Sequence, residues 1–165
     1  RAWGRDHEVA DLATRLSAGS VSVILVGEAG CGKSTVLREA VRRMSTKNGG
    51  TGGRIVNLAS AASRLGGPNE FVHYAASKGA VDSFTLGLSR EVAAEGILVN
   101  AVSPGMIDTE IHASAGLPDR AVNAVPNIPI RRVGQPEEVA DVIVWLLGDA
   151  STYCAGAIVD VTGGR

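Results

Sequence analysis

Apolar residues recur along this chain in two rhythms, short unbroken runs alternating with stretches of helical spacing. Val9, Leu12 and Leu16 form one stripe within Arg5–Gly19, where Asp6 is placed to act as an N-cap. Ser20–Gly27 (SVSVILVG) is rich in β-branched residues and reads as a buried strand. A glycine-rich turn follows, and Ser34–Met44 returns to helical spacing through Val36, Leu37, Ala40, Val41 and Met44. Ser45–Gly53 (STKNGGTGG) reads as a flexible connection, and Arg54–Ala59 (RIVNLA) as a second strand. Beyond Gly66, Gly67 and Pro68, a long helix is predicted from about Val72 to Ala94, its period carried by Val81, Phe84, Leu88 and Val92. Ile97–Val102 (ILVNAV) is a third strand, closed by Ser103, Pro104 and Gly105. Met106–Val133 contains Pro118, Pro126 and Pro129 and is expected to be a mobile loop with short helical pieces, of the kind that forms substrate lids. Pro136 then opens a helix, with Glu137 and Glu138 where the dipole favours acids and Val139, Val142, Ile143, Leu146 and Leu147 facing a core. Ala157–Val161 (AIVDV) is a fourth strand. Strands alternating with helices require crossovers, and crossovers make a parallel sheet.

Composition narrows the function more than the fold. A chain of 165 residues is long enough to bury a core, and 16 Lys+Arg against 17 Asp+Glu leave a net charge of −1. That balance argues against nucleic-acid and polybasic membrane partners. No apolar stretch approaches the roughly 18 residues of a spanning helix. Two cysteines, Cys31 and Cys154, make no disulfide framework, and the N-terminus does not read as a signal peptide. A cytoplasmic protein is expected.

Gly27-Glu28-Ala29-Gly30-Cys31-Gly32-Lys33-Ser34 fits the pattern G-x-x-x-x-G-K-[ST] between a predicted strand and a predicted helix. In such a loop, backbone N–H groups curl around phosphate oxygens and the helix N-terminus adds its positive end. The expectation places Gly27, Gly30, Cys31, Gly32, Lys33, Ser34 and Thr35 on a nucleotide or other phosphate ligand. Lys33 would reach the β and γ phosphates of ATP or GTP, and Ser34 would ligate Mg²⁺. Residues 4–37 resemble the opening of the ATPase module of signal-transduction NTPases, through the Gly-Arg before the first helix, the strand and the phrase GEAGCGKS. No apolar strand ends in an acidic pair, so binding without efficient hydrolysis is expected.

From about Arg38 the chain resembles the C-terminal part of a short-chain dehydrogenase/reductase. Tyr74 and Lys78 form Y-x-x-x-K in HYAASKGAVD, one turn apart on one helix face, with Ser60 upstream and ILVNAVSPGMIDT and GAIVDVTGGR downstream. An ammonium beside a tyrosine favours its phenolate, whose ordinary pKa of about 10 is otherwise too high for proton exchange near neutrality. The resemblance implies that Tyr74 is the general acid/base toward a carbonyl or alcohol, that Ser60 orients its oxygen, and that Lys78 also holds the nicotinamide ribose of NAD or NADP. Ser63 is a second candidate for the serine role. Pro104, Gly105 and Thr109 match the segment that contacts the nicotinamide. Lysine occurs only at Lys33, Lys47 and Lys78, so two of the three sit in these motifs. The family's T-G-x-x-x-G-x-G loop and N-N-A-G segment do not occur in this sequence, so dinucleotide binding is expected to be weakened.

Taken together, the two resemblances imply a hybrid joined within Ser34–Met44, engineered or naturally fused: a single α/β domain, 1–165, made of a P-loop NTPase-like segment (1–37) and a dehydrogenase-like segment (38–165). The expected architecture is a three-layer sandwich around a small four-stranded, mostly parallel Rossmann-like sheet, with strands 21–27, 54–59, 97–102 and 157–161 in chain order. Its main functional expectation is nucleotide or phosphate binding without efficient catalysis. The alternatives are a residual NAD(P)-dependent oxidoreductase and a ligand-free scaffold. A homo-oligomer is expected, because family members pair through the helices that flank the sheet.

Overall fold

The computed structural model describes residues 33–165, so the predicted helix 5–19, strand 20–27 and glycine turn 27–32 lie outside the described residues. The chain falls into two compact units, the first holding residues 33–53 of the described chain with Ala94–Ile97, the second Arg54–Ala93 with Leu98–Arg165.

In the first unit, helix α1 (Lys33–Met44) buries Val36 and Ala40, with Met44 packed against them, as its spacing predicts. The Arg42 and Arg43 guanidinium groups bind Glu39 and hold its carboxyl at about 2, below the usual 4.5. The segment STKNGGTGG is not the flexible connection expected. It folds back on the helix end through Gly50 N–H to Ser45 O (2.9 Å) and Gly52 N–H to Met44 O (2.8 Å). Gly52 has φ +81°, and a Cβ there would lie 2.5 Å from the Gly96 carbonyl oxygen, so glycine is required by packing rather than by mobility.

The sheet has strands β1 (Gly53–Leu58), β2 (Ile97–Pro104) and β3 (Ile158–Val161) in that order, all but the first residues of β1 and β2 belonging to the second unit. β2 and β3 run parallel, Ala101 facing Ile158 and Val102 facing Val159. β1 runs parallel to β2 as well, because donors at Gly53, Ala59 and Ala61 meet acceptors at Gly96, Val102 and Pro104, both series rising together. Three strands in chain order are thus found among the described residues, and the first of the four predicted, Ser20–Gly27, falls on residues that are not described.

Alternation along the strands places a helix on each face. On one side α3 (Val72–Val92) buries Ala75, Thr85, Ser89 and Val92, and the Thr85 hydroxyl accepts from Asn57 Nδ2 (2.9 Å) while donating to Val81 O (2.8 Å). On the other, α6 (Pro136–Leu147) sets Val139 and Leu146 against Val102, with Val56, Val142, Ile143, Val159 and Val161 around them. The stripe predicted for α3 is corrected at Phe84, which is 47% exposed: small and hydroxylated side chains face the sheet instead. Segment 106–133 carries the short helices α4 (Ile111–Ser114) and α5 (Arg120–Ala124), and α2 (Ala62–Leu65) follows β1.

Candidate active site

The carboxyl ends of the three strands meet in a small set of hydrogen bonds. Ala61 N–H, one residue past Ser60, donates to Pro104 O (3.0 Å), and Gly105 N–H donates to Val161 O (2.9 Å). A Cβ on Gly105 would come within 2.8 Å of Thr162 Cα, so the close approach of the two chains requires glycine there. Ser60 and Pro104–Gly105 are thereby fixed at one end of the sheet, the position open α/β sheets use for ligands.

Tyr74 and Lys78 lie one turn apart near the start of α3, and the Lys78 ammonium sits 5.7 Å from the centre of the Tyr74 ring. Lys78 Nζ also donates to Leu58 O (2.7 Å), the last residue of β1. Leu58 and Ser60 are two residues apart, a span of at most about 7 Å. One ammonium therefore joins the helix that carries Tyr74 to the strand end that carries Ser60. Tyr74 is 39% exposed, within reach of a molecule in solution.

The two serines are not equivalent. Ser60 Oγ accepts from Ala62 N–H (3.2 Å), which leaves its own O–H to donate outward. Ser63 Oγ donates to Ser60 O (2.9 Å), spending its proton inside the turn. Thr109 is exposed in the loop past Asp108 and joins none of these contacts. Lys33, Ser34 and Thr35 open α1 in the other unit, and Gly27, Gly30, Cys31 and Gly32 lie outside the described residues.

Beyond Gly105, a small, shallow groove of about 40 Å³ is lined by Met106, Ile107, Ile130, Arg132, Gly134, Glu138, Val161, Thr162 and Gly163. Arg132 grips Glu138 with two bonds of 2.7 Å, and the Gln135 N–H donates to the same carboxylate (2.8 Å). Arg132 first, and Gln135 second, hold the Glu138 carboxyl at about 2. With its guanidinium already occupied, this groove is a weaker anion site than Arg132 alone suggests. The contact that sequence reasoning missed is the Leu58 carbonyl, a backbone group whose partner no residue type announces.

A family model described as enoyl-(acyl carrier protein) reductase matches residues 32–165. The chain belongs to this family of short-chain dehydrogenases/reductases. An oxidoreductase of Escherichia coli K12, YgfF, itself uncharacterized, is 60% identical over 128 residues, which are 78% of this chain and 52% of that one. A 3-oxoacyl-[acyl-carrier protein] reductase from Brucella melitensis, crystallised with bound NAD, is 36% identical, with TM-score 0.67 over 81% of this chain and 47% of that one. A structure from Agrobacterium tumefaciens with bound NADP is 27% identical, with TM-score 0.73 over 96% of this chain and 72% of that one. The chain spans about half the length of the curated relatives it matches.

These findings overturn the hybrid reading. The family match starts at residue 32, so Lys33, Ser34, Thr35 and all of α1 are dehydrogenase-family sequence, and no second family begins within Ser34–Met44. The pattern G-x-x-x-x-G-K-S asks for only two glycines, a lysine and a hydroxyl at fixed offsets, a light demand in a chain with 21 glycines. With that segment goes the support for ATP or GTP with Mg²⁺, for Ser34 as a metal ligand and for an engineered junction.

Proposed function

We propose that the chain carries the reaction end of an NAD(P)-dependent oxidoreductase acting on a carbonyl or alcohol, with Tyr74, Lys78 and Ser60 as its catalytic residues. The observation that carries this reading is the double engagement of Lys78, over the Tyr74 ring and on the Leu58 carbonyl beside Ser60. The donor set fits the nicotinamide-ribose end of the cofactor: an ammonium has three N–H donors and Leu58 takes one, leaving two for a ribose. Pro104, Gly105 and Thr109 are proposed to flank the nicotinamide. When bound, the dinucleotide supplies or accepts the hydride. Tyr74 holds the proton that passes to or from the substrate oxygen, and the Ser60 hydroxyl donates to that oxygen and orients it. Lys78 keeps positive charge beside the phenol as its proton leaves.

The arrangement of the hydroxyls favours Ser60 over Ser63. In an assay of ketone reduction with NADH or NADPH, including a 3-oxoacyl thioester, Ser60→Ala is expected to lose most turnover and Ser63→Ala to keep most of it. Turnover by neither dinucleotide would remove the proposal, and a larger loss in Ser63→Ala would exchange the two roles.

The same helices support self-association. Phe84 (47% exposed) and Leu86 on α3, and Val144 (67%) and Trp145 on α6, leave apolar surface outside the core. We propose a homodimer or larger assembly, read as a mass of at least twice 16.9 kDa in light scattering; a monomer at high concentration would contradict it. Among the described residues, no helix is long and apolar enough to cross a membrane.

A further inference from the structure

Segment 106–133 leaves the end of β2 and returns to α6, and its base is closed on itself. Asp108 N–H donates to Gly134 O and Gly134 N–H to Met106 O, both at 2.9 Å. Near its end, Ile128 is buried and Ile130 N–H donates to Gly163 O (3.2 Å); earlier in the segment, among the described residues, one side chain ties it to the turn before the Tyr74 helix. The Arg120 guanidinium, at the first residue of α5, lies 4.9 Å over the Phe71 ring and donates to the Glu70 carboxylate. Phe71 stands immediately before α3, three residues ahead of Tyr74. Its N–H is held by Gly67 O (3.0 Å), its carbonyl accepts from Ala75 N–H (2.9 Å), and its ring meets His73 edge-on at 6.1 Å. Arg120 therefore grips the backbone turn that aims the first residues of the Tyr74 helix.

The surroundings give the grip a consequence. Ala121, next to Arg120, is buried, whereas Ile111, Leu117 and Val122 in the same segment are exposed, 64%, 41% and 71%. Little apolar burial holds residues 111–122 down, in contrast to the buried Ile128 farther on, so a single polar and aromatic contact is a large share of what fixes this first part of the segment. Guanidinium is suited to the task, because its plane stacks on an aromatic ring while its edge donates to a carboxylate.

We propose that Arg120 is a latch that fastens segment 106–133 to the Glu70–Phe71 turn, and that opening of this segment requires release of both contacts. Arg120 is a positioning residue in this scheme, acting through Phe71 on the Tyr74 helix. That functional consequence rests on the proposed role of Tyr74; the latch itself does not.

Amide hydrogen exchange on the unliganded chain tests it without any assay of activity. An exposed ion pair and a cation–π contact together imply roughly tenfold faster exchange in Arg120→Ala at α5, read at the Asn123 N–H that is bonded to Asp119 O. Glu70→Gln, which keeps the shape and removes the charge, is expected to give part of that increase. Exchange at Ala101 in the central strand should stay unchanged in both variants. Should Arg120→Ala fail to fold, Glu70→Gln carries the test alone. Unaltered exchange at Asn123, or an equal rise at Ala101, would overturn the latch, and either result leaves the oxidoreductase reading standing.

Discussion

Tyr74→Phe is expected to lower the turnover of carbonyl reduction by about 10²–10⁴-fold, the usual worth of a positioned proton donor. The substitution removes one hydroxyl and keeps the ring beneath the Lys78 ammonium, so the contact at 5.7 Å and the Lys78 bond to Leu58 O are retained. Tyr74 is 39% exposed, so folding stability should change by no more than about 0.5 kcal/mol. Steady-state kinetics with either dinucleotide read the effect, and a fall in kcat without a matching rise in KM is the signature of an interaction made in the transition state. A variant that turns over within a few-fold of the parent would assign the proton to another group.

The second large effect belongs to the scaffold. Asn100 is 1% exposed in β2, and its amide closes the approach to β3 from both directions. Nδ2 donates to Cys154 O (2.9 Å), and Oδ1 accepts from Ala157 N–H (2.9 Å). Leucine at this position fills a similar volume and leaves both backbone groups without a partner. At roughly 1–3 kcal/mol for each of the two buried unsatisfied groups, Asn100→Leu should cost about 2–6 kcal/mol, lowering Tm by roughly 5–20 °C. Asn123→Leu, at an exposed position, should change stability by less than about 0.5 kcal/mol. Thermal unfolding of the two variants decides the matter: equal midpoints would mean that Cys154 O and Ala157 N–H find other partners.

The fold was legible because period and punctuation agree along most of the described chain. Predicted elements at Ser34–Met44, Arg54–Ala59, Val72–Ala94 and Ile97–Val102 lie within a residue or two of those observed. The helix opened by Pro136 begins at that residue. Where the reading failed, tertiary contacts outweighed the local signal. STKNGGTGG looks flexible because its glycines carry no side chains, yet those glycines let the turn press against the Gly96 carbonyl. Phe84 looked like core because large apolar residues usually are, while the sheet-facing stripe of α3 is made of Ala75, Thr85 and Ser89.

The geometry of the candidate site was legible in part, for a chemical reason. Y-x-x-x-K fixes two side chains on one helix face whatever the fold, so Tyr74 and Lys78 could be paired from spacing alone. Ser60 against Ser63 could not, since the choice depends on which hydroxyl spends its proton inside the turn. Arg120 carried no signal, because its partners Glu70 and Phe71 lie fifty residues away in an intervening loop. The glycine-rich phrase at 27–34 misled in the opposite direction: a short pattern of common residues matched a chemistry that the family relationship does not support.

Hydride transfer itself is the most direct test of the central claim. The chain would be incubated with NADH or NADPH deuterated at the nicotinamide and a 3-oxoacyl thioester or simple ketone, and the alcohol product analysed by mass spectrometry. The account predicts deuterium on the carbinol carbon with the parent chain and an initial rate of labelling at least about a hundredfold lower with Tyr74→Phe. No label with the parent, or equal label with the variant, would contradict it.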